Sequence, residues 1–431
     1  MSTPTRTTTR THSQPSAQPV RPVDALERLF YRYSERNPTH FSIVAEFGVT
    51  VTEAQVRAAL SAVQRRHPLL SVHVEDHPGS RLGFYRADSV APIGLTVHES
   101  DEQWQTFAAA ELAQPFDRST APLIRAVLVN GRVGSTILLT FDHTIADGIS
   151  SVWVTRDLVD ALNGKPLAQL EVPPSVEDTI TRTLPDAAIQ GGTDAPDPRM
   201  LQPISIRPFD GTRPCVHAVS LDVADTAGLV DRCRAEKTTV HAALLTAASR
   251  VHTTLHKKDF VRVLSPVDVR PLLNIGGDCA AYFMCTITGM APNDGTAFWN
   301  QARAMTADLS IAKSGVGVAA VSATVAQAVT IDADCAVAEQ LFTTALPFDL
   351  LVTNLGVQEL HVDGPIKPAT LWGPVVQSQA DDYVIGVTTY DGRLRMITTG
   401  YTPSDVFLEG VRATLALAAR SDHGSSSDAP R

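Results

Sequence analysis

Leu139-Thr-Phe-Asp-His-Thr-Ile-Ala-Asp147-Gly148 is the stretch that decides how this chain folds. Thr136 to Phe141 is a short apolar run rich in β-formers, and Ser150 to Leu162 has the spacing of a helix stopped by Gly164. His143 therefore falls on a strand-to-helix connection, beside a helix N-terminus whose unpaired N–H groups favour developing negative charge. A neutral imidazole there can take a proton from a hydroxyl, thiol or amine near pH 7, while nearby N–H groups hold a tetrahedral oxyanion. Asp147 either orients His143 or anchors the turn through an arginine. Gly148 lets the backbone turn sharply beside the site.

Other segments extend the pattern H-x-x-x-D-G along the chain. They are Gln64-Arg-Arg-His-Pro-Leu-Leu-Ser71, Pro115-Phe-Asp-Arg-Ser-Thr-Ala-Pro-Leu-Ile-Arg125, Thr238-Thr-Val-His-Ala-Ala-Leu-Leu245, Ser265-Pro-Val-Asp-Val-Arg270 and Leu351-Val-Thr-Asn-Leu-Gly356. In this order they resemble the condensation-domain superfamily, whose simplest relatives are chloramphenicol acetyltransferases, over roughly residues 23 to 418. Within it, the chain is similar to stand-alone acyltransferases of the phthiocerol/phthiodiolone dimycocerosyl transferase type. The resemblance implies an α/β (α+β) fold of two chloramphenicol acetyltransferase-like half-domains in a V, with His143 at the floor of a tunnel between them. It further implies an acyl thioester, on a carrier protein or coenzyme A, in one arm and an alcohol or amine acceptor in the other.

Condensation domains usually carry two adjacent histidines, and the first position here is Asp142. Plant-type acyltransferases of the superfamily also lack it, so His143 suffices as general base. Asp142, Asp147 and Ser150 also satisfy the D-x-x-x-x-D-x-x-S pattern of heterocyclisation domains, which makes cyclisation the rival chemistry. A non-catalytic recruitment module is the third possibility. The resemblance favours a structural salt bridge for Asp147, with Arg270 as partner. Asn354 is either a substrate or oxyanion contact or the anchor of an Asx-turn.

At 431 residues, 44% of them hydrophobic, the chain is long enough for two domains with ample core. A net charge of −10 disfavours nucleic acid as a partner and would repel an acidic carrier protein overall. Such a partner needs a local basic patch; Arg65, Arg66 and the Arg232, Arg234, Lys237 cluster are candidates, against the plainer alternative of solvated helix charge. Cysteines 215, 233, 279, 285 and 335 are odd in number and form no C-x-x-C pair, which predicts neither a disulfide framework nor a zinc site and fits a reducing cytoplasm. No stretch approaches the roughly 18 apolar residues of a membrane span.

Composition divides the chain into a disordered arm (1 to 20), a first domain with the histidine motif (21 to 164), an interdomain linker rich in Pro, Asp, Thr and Gly (165 to 213), a second domain (214 to 420) and a disordered tail (421 to 431). Thr52-x-x-Gln55 is a capping box opening a helix whose Val56, Leu60 and Val63 cover a sheet. A hairpin is expected through Asp391-Gly392. Gly315-Val-Gly-Val-Ala-Ala320 matches the dinucleotide fingerprint but follows a helix end and not a strand, so a flexible loop near the substrate channel is expected instead. His241, His252 and His256 share one helix without the acidic partner a metal site needs. No cofactor is called for, and one chain suffices as a monomer.

Overall fold

The computed structural model describes residues 19–76, 82–86, 89–184, 197–292, 295–376, 383–402 and 404–420. The expected arm and tail lie outside these, apart from residues 19 and 20. Two large sheets organise the chain, which has a mixed α/β architecture. The first runs in the order Pro368–Val376, Phe41–Phe47, Ser135–Phe141, Ile124–Asn130, Gly94–Glu99. The second runs Phe283–Met290, Val261–Asp268, Leu350–Gln358, Tyr383–Tyr390, Arg393–Gly400, Cys215–Ser220.

The strand before His143 is central in the first sheet. Helix Gly148–Leu162 packs on one face and helix Trp104–Leu112 on the other, which is why apolar residues occupy both faces of the strand and Ile137, Leu138, Leu139 and Phe141 are all buried. The capping box of helix Glu53–Arg66 forms in both directions: Gln55 N–H donates to Thr52 Oγ1 at 3.3 Å and Thr52 N–H to Gln55 Oε1 at 2.9 Å. Its Val56, Leu60 and Val63 are buried, each contributing about 1.5–3 kcal/mol of transfer free energy. In the second sheet the predicted hairpin closes through Asp391 (φ 51°) and Gly392 (φ 69°), the pair of positive φ angles that a two-residue turn of matching twist requires.

Three segments differ from the sequence expectations. Strand Pro368–Val376, within the stretch assigned to the second domain, leaves it to pair antiparallel with Phe41–Phe47 and complete the first sheet. It lies hard against Tyr383–Tyr390: a Cβ on Gly386 would sit 1.9 Å from the Pro374 carbonyl oxygen. The expected linker contains helix Val176–Thr183, held where Ala25 N–H donates to Glu177 Oε2 at 3.1 Å and Glu177 N–H to Asp24 Oδ2 at 3.3 Å. Gly315 to Ala320 is not a flexible loop but the start of helix Gly315–Ala328, following helix Phe298–Ala312. Ser314 Oγ accepts from Gly317 N–H at 3.1 Å, and a Cβ on Gly317 would lie 2.3 Å from the Ile311 carbonyl oxygen, so this glycine permits a tight helix-to-helix turn. No single helix among the described residues is long and apolar enough to cross a membrane.

Candidate active site

A cavity of about 250 Å³ opens where the two sheets meet. His143, Gly148 and Ile149 line it from the first, Leu264, Leu351 and Asn354 from the second, and Ile204 and Ile206 from the stretch between. Within 141–150 these same three residues, His143, Gly148 and Ile149, are the ones not buried. The turn itself explains this selection. Asp142 donates its N–H to the Leu123 carbonyl at 3.0 Å and accepts Thr144 N–H on Oδ1 at 2.9 Å, which turns its carboxylate inward and leaves the next side chain at the open end of the strand.

The His143 ring is stacked on Phe30 at 4.4 Å between centroids, with Phe41 at 4.9 Å and Phe283 at 5.2 Å. Its Nδ1 is buried without a hydrogen-bond partner among the described residues. Burial in this aromatic box pushes the imidazole below its usual 6.5, and the negative charges of Asp147 and Asp142 only partly oppose it. His143 is therefore neutral at pH 7. A neutral imidazole open to a mostly apolar cavity is the form a general base must take.

Asp147 is the cap of helix Gly148–Leu162, accepting Ser150 N–H on Oδ1 at 2.8 Å. Its other partners come from the second half of the chain. Arg270 grips it with two parallel bonds, Nη1 to Oδ2 at 2.8 Å and Nη2 to Oδ1 at 2.9 Å, and Tyr282 N–H donates to Oδ2 at 2.8 Å. The guanidinium is fixed in turn by the Ala280 carbonyl at 3.1 Å and by the faces of Trp153 and Tyr282 near 5 Å. Burial alone would raise the Asp147 carboxyl, but the Arg270 charge and these donors outweigh it and hold the group below the usual carboxylate range. All of this leaves no hydrogen bond from Asp147 to His143. Of the two roles expected for Asp147, the structure carries the anchoring one, with Arg270 as its partner.

Other expected residues are placed differently. Asp142 and Ser150 do not line the cavity; Ser150 is fully buried, with Oγ accepting Asp147 N–H at 2.9 Å. Gly148 is needed for space, not for a sharp turn. It takes ordinary helical backbone, and a Cβ there would come within 2.5 Å of Leu355 Cδ2, from the opposite sheet. Gly148→Val should lower the unfolding free energy by about 1–3 kcal/mol through overpacking, measured by urea denaturation. The N–H groups of Gly148 and Ile149 have no acceptor among the described residues and sit at the cavity edge, a ready site for negative charge. Asn354 forms the Asx-turn: Oδ1 accepts Gly356 N–H at 2.9 Å where the strand bulges, although the residue also lines the cavity.

Nothing in the sequence pointed to the aromatic box, and Asp268 was quoted only as part of the Ser265–Arg270 segment, with no role attached. Phe30 rides on helix Ala25–Tyr33, whose start was legible: Asp24-Ala-Leu-Glu27 forms a capping box in which Glu27 N–H donates to Asp24 Oδ1 at 2.8 Å. Asp268 lines the cavity and accepts from Arg270 Nη1 at 3.1 Å; burial raises its carboxyl against the pull of Arg270. Of the basic candidates, Arg66 is bound to Asp157, Arg232 to Glu236 and Arg234 to Asp231, which is the plain reading of helix charge.

Comparison with known proteins relates part of this chain to a family. Residues 26–184 match the Condensation domain family. Phosphinothricin tripeptide synthetase PhsC of Streptomyces viridochromogenes is 35% identical over 124 residues, a match covering 27% of this chain and 11% of that far longer one. Polyketide synthase associated protein 5 from Mycobacterium tuberculosis superposes with a TM-score of 0.67 over 94% of this chain and 99% of that one, at 17% identity. The epimerization domain from the third module of tyrocidine synthetase B gives 0.63 over 93% and 97%, at 13% identity. At such identities the structural matches establish the fold and not the reaction. The sequence match thus covers residues 26–184, under half of the chain, and the structural matches extend a shared fold over more than nine-tenths of it.

Proposed function

We propose that this protein is an acyltransferase, moving an acyl group from a thioester, on a carrier protein or coenzyme A, to a hydroxyl or amine acceptor in natural-product or lipid biosynthesis. The supporting observation is a neutral histidine open to a cavity that both sheets line, beside a helix N-terminus with free N–H groups. Nδ1 is turned into protein, so Nε2 is the atom that meets the acceptor. It takes the acceptor's proton as the acceptor oxygen or nitrogen attacks the thioester carbonyl. The tetrahedral oxyanion lies on the N–H groups of Gly148 and Ile149. Collapse breaks the C–S bond, and the imidazolium returns its proton to the departing thiolate. The products are an ester or amide and a free thiol, and no covalent acyl-enzyme intervenes; alignment of two bound substrates supplies much of the rate.

Asp147 and Arg270 act as positioning residues, riveting the helix N-terminus to the second sheet. Cyclisation loses its motif-based support, since Asp142 and Ser150 stand outside the cavity. Within the superfamily we group the chain with stand-alone acyltransferases of the phthiocerol/phthiodiolone dimycocerosyl transferase type. We further place it in the cytoplasm as a monomer. The test is intact-mass analysis of acyl carrier proteins and acyl-coenzyme A thioesters incubated with a mixed alcohol and amine pool. Acyl loss matched by acceptor gain supports the assignment; an unchanged panel, with carrier protein still bound, moves the protein to the recruitment class.

A further inference from the structure

The cavity at His143 holds two carboxyl groups, on Asp147 and Asp268, and one guanidinium, on Arg270. The guanidinium is shared unevenly. Both Nη atoms of Arg270 donate to Asp147, one to each carboxylate oxygen, and these two side chains are almost fully buried. Asp268 receives the Arg270 N–H and a second bond from Nη1, both at 3.1 Å and both on Oδ1. Its Oδ2 accepts no hydrogen bond among the described residues, and 35% of the side chain is exposed. Strand alternation explains why this side chain faces the cavity. Leu264, Pro266 and Asp268 of Val261–Asp268 line it, while Ser265 Oγ turns away to His241 Nε2 at 3.2 Å and Val267 is buried.

Asp268 stands directly across the strand pair from Phe283, whose ring centroid is 5.2 Å from that of His143. Cross-strand neighbours lie about 5 Å apart, so the carboxylate is roughly 10 Å from the imidazole. A negative charge left over beside mostly apolar walls attracts a cation more strongly than it would in water, and it turns an anion away. We propose that Asp268 selects the acceptor by charge: the acceptor carries an ammonium group in addition to the hydroxyl or amine that reacts, and this ammonium docks on Oδ2. A spacer of about four or five methylenes, at roughly 1.3 Å per bond, covers the distance once a hydrogen bond at each end is added. The place of Asp268 in the reaction rests on the acyl-transfer assignment, while capture of the ammonium does not.

The test is calorimetric titration of the full chain with 5-amino-1-pentanol and with its neutral isostere 1,5-pentanediol, in wild type, Asp268→Asn and Asp268→Glu. Asp268→Asn keeps an oxygen for Arg270 and removes the charge; Asp268→Glu keeps the charge. Wild type should bind the amino alcohol at least tenfold more tightly than the diol, the scale of a hydrogen bond to a charged group. Asp268→Asn should abolish that preference and leave affinity for the diol within about twofold, and Asp268→Glu should retain part of it. Equal affinity of wild type for the two ligands, a comparison that needs no variant, would overturn the proposal. So would Asp268→Asn weakening both ligands alike, the mark of a residue that only braces Arg270, or changing neither. Wild type that prefers the amino alcohol as expected, yet transfers an acyl group to it from none of the carrier-protein and coenzyme A thioesters, would strike the acyl-transfer assignment and uphold the cation site.

Discussion

Arg270→Ala is expected to lower the unfolding free energy by about 3–5 kcal/mol, the cost of leaving one partner of a buried ion pair without the other. The size of the effect follows from burial: the side chains of Arg270 and Asp147 are 3% and 6% exposed. The variant keeps the Ser150 and Tyr282 N–H donors to Asp147 but removes the charge that balances it. Arg270→Lys should recover little, because a point charge cannot reproduce two parallel bonds to one carboxylate. The loss also depends on pH. In wild type the Asp147 carboxyl is held below the usual carboxylate range, so its stabilising share is present above about pH 3.9 and is lost as pH falls through the lower folded value. Without Arg270, burial raises the group instead, and the penalty, present above about pH 3.9, is relieved by protonation. Urea denaturation should therefore show the gap between wild type and variant narrowing from pH 7 towards pH 4.

His143→Ala should lower kcat/KM by about 10²- to 10⁴-fold, the range a positioned general base contributes. Stability should change far less. The lost ring stacks on Phe30, an interaction of about 0.5–1.5 kcal/mol, but its buried Nδ1 has no hydrogen-bond partner among the described residues, so the two effects oppose each other. Urea denaturation and circular dichroism of the variant separate loss of the base from loss of fold. Added imidazole provides a sharper readout: it should restore part of the turnover in His143→Ala and none in Arg270→Ala, where the base is present and its mounting is damaged.

Much of this was legible in the sequence wherever local chemistry decides structure. The run Thr136 to Phe141, the Thr52 capping box and the Asp391-Gly392 turn each fix their own geometry, and the structure reproduces all three. The linkage of Asp147 to Arg270 came from the resemblance, because 123 residues separate the partners and no periodicity connects them. Strand Pro368–Val376 was missed for a related reason: it pairs with Phe41–Phe47, more than 300 residues earlier, and nothing in its own composition says which sheet it will join. The role of Gly148 was also non-local, since the atom that excludes a Cβ belongs to Leu355. Asp142 and Ser150 show the converse, a motif match that the fold assigns to turn and helix capping.

The most direct measurement of the central claim is the pH dependence of kcat/KM for acyl transfer, since a base works only when unprotonated. Burial lowers the His143 imidazole from 6.5, so activity should fall towards acid along a single limb whose midpoint lies below 6.5. A midpoint at or above 6.5, or turnover that persists unchanged into strong acid while the fold is intact, would contradict a neutral, buried His143 as the base.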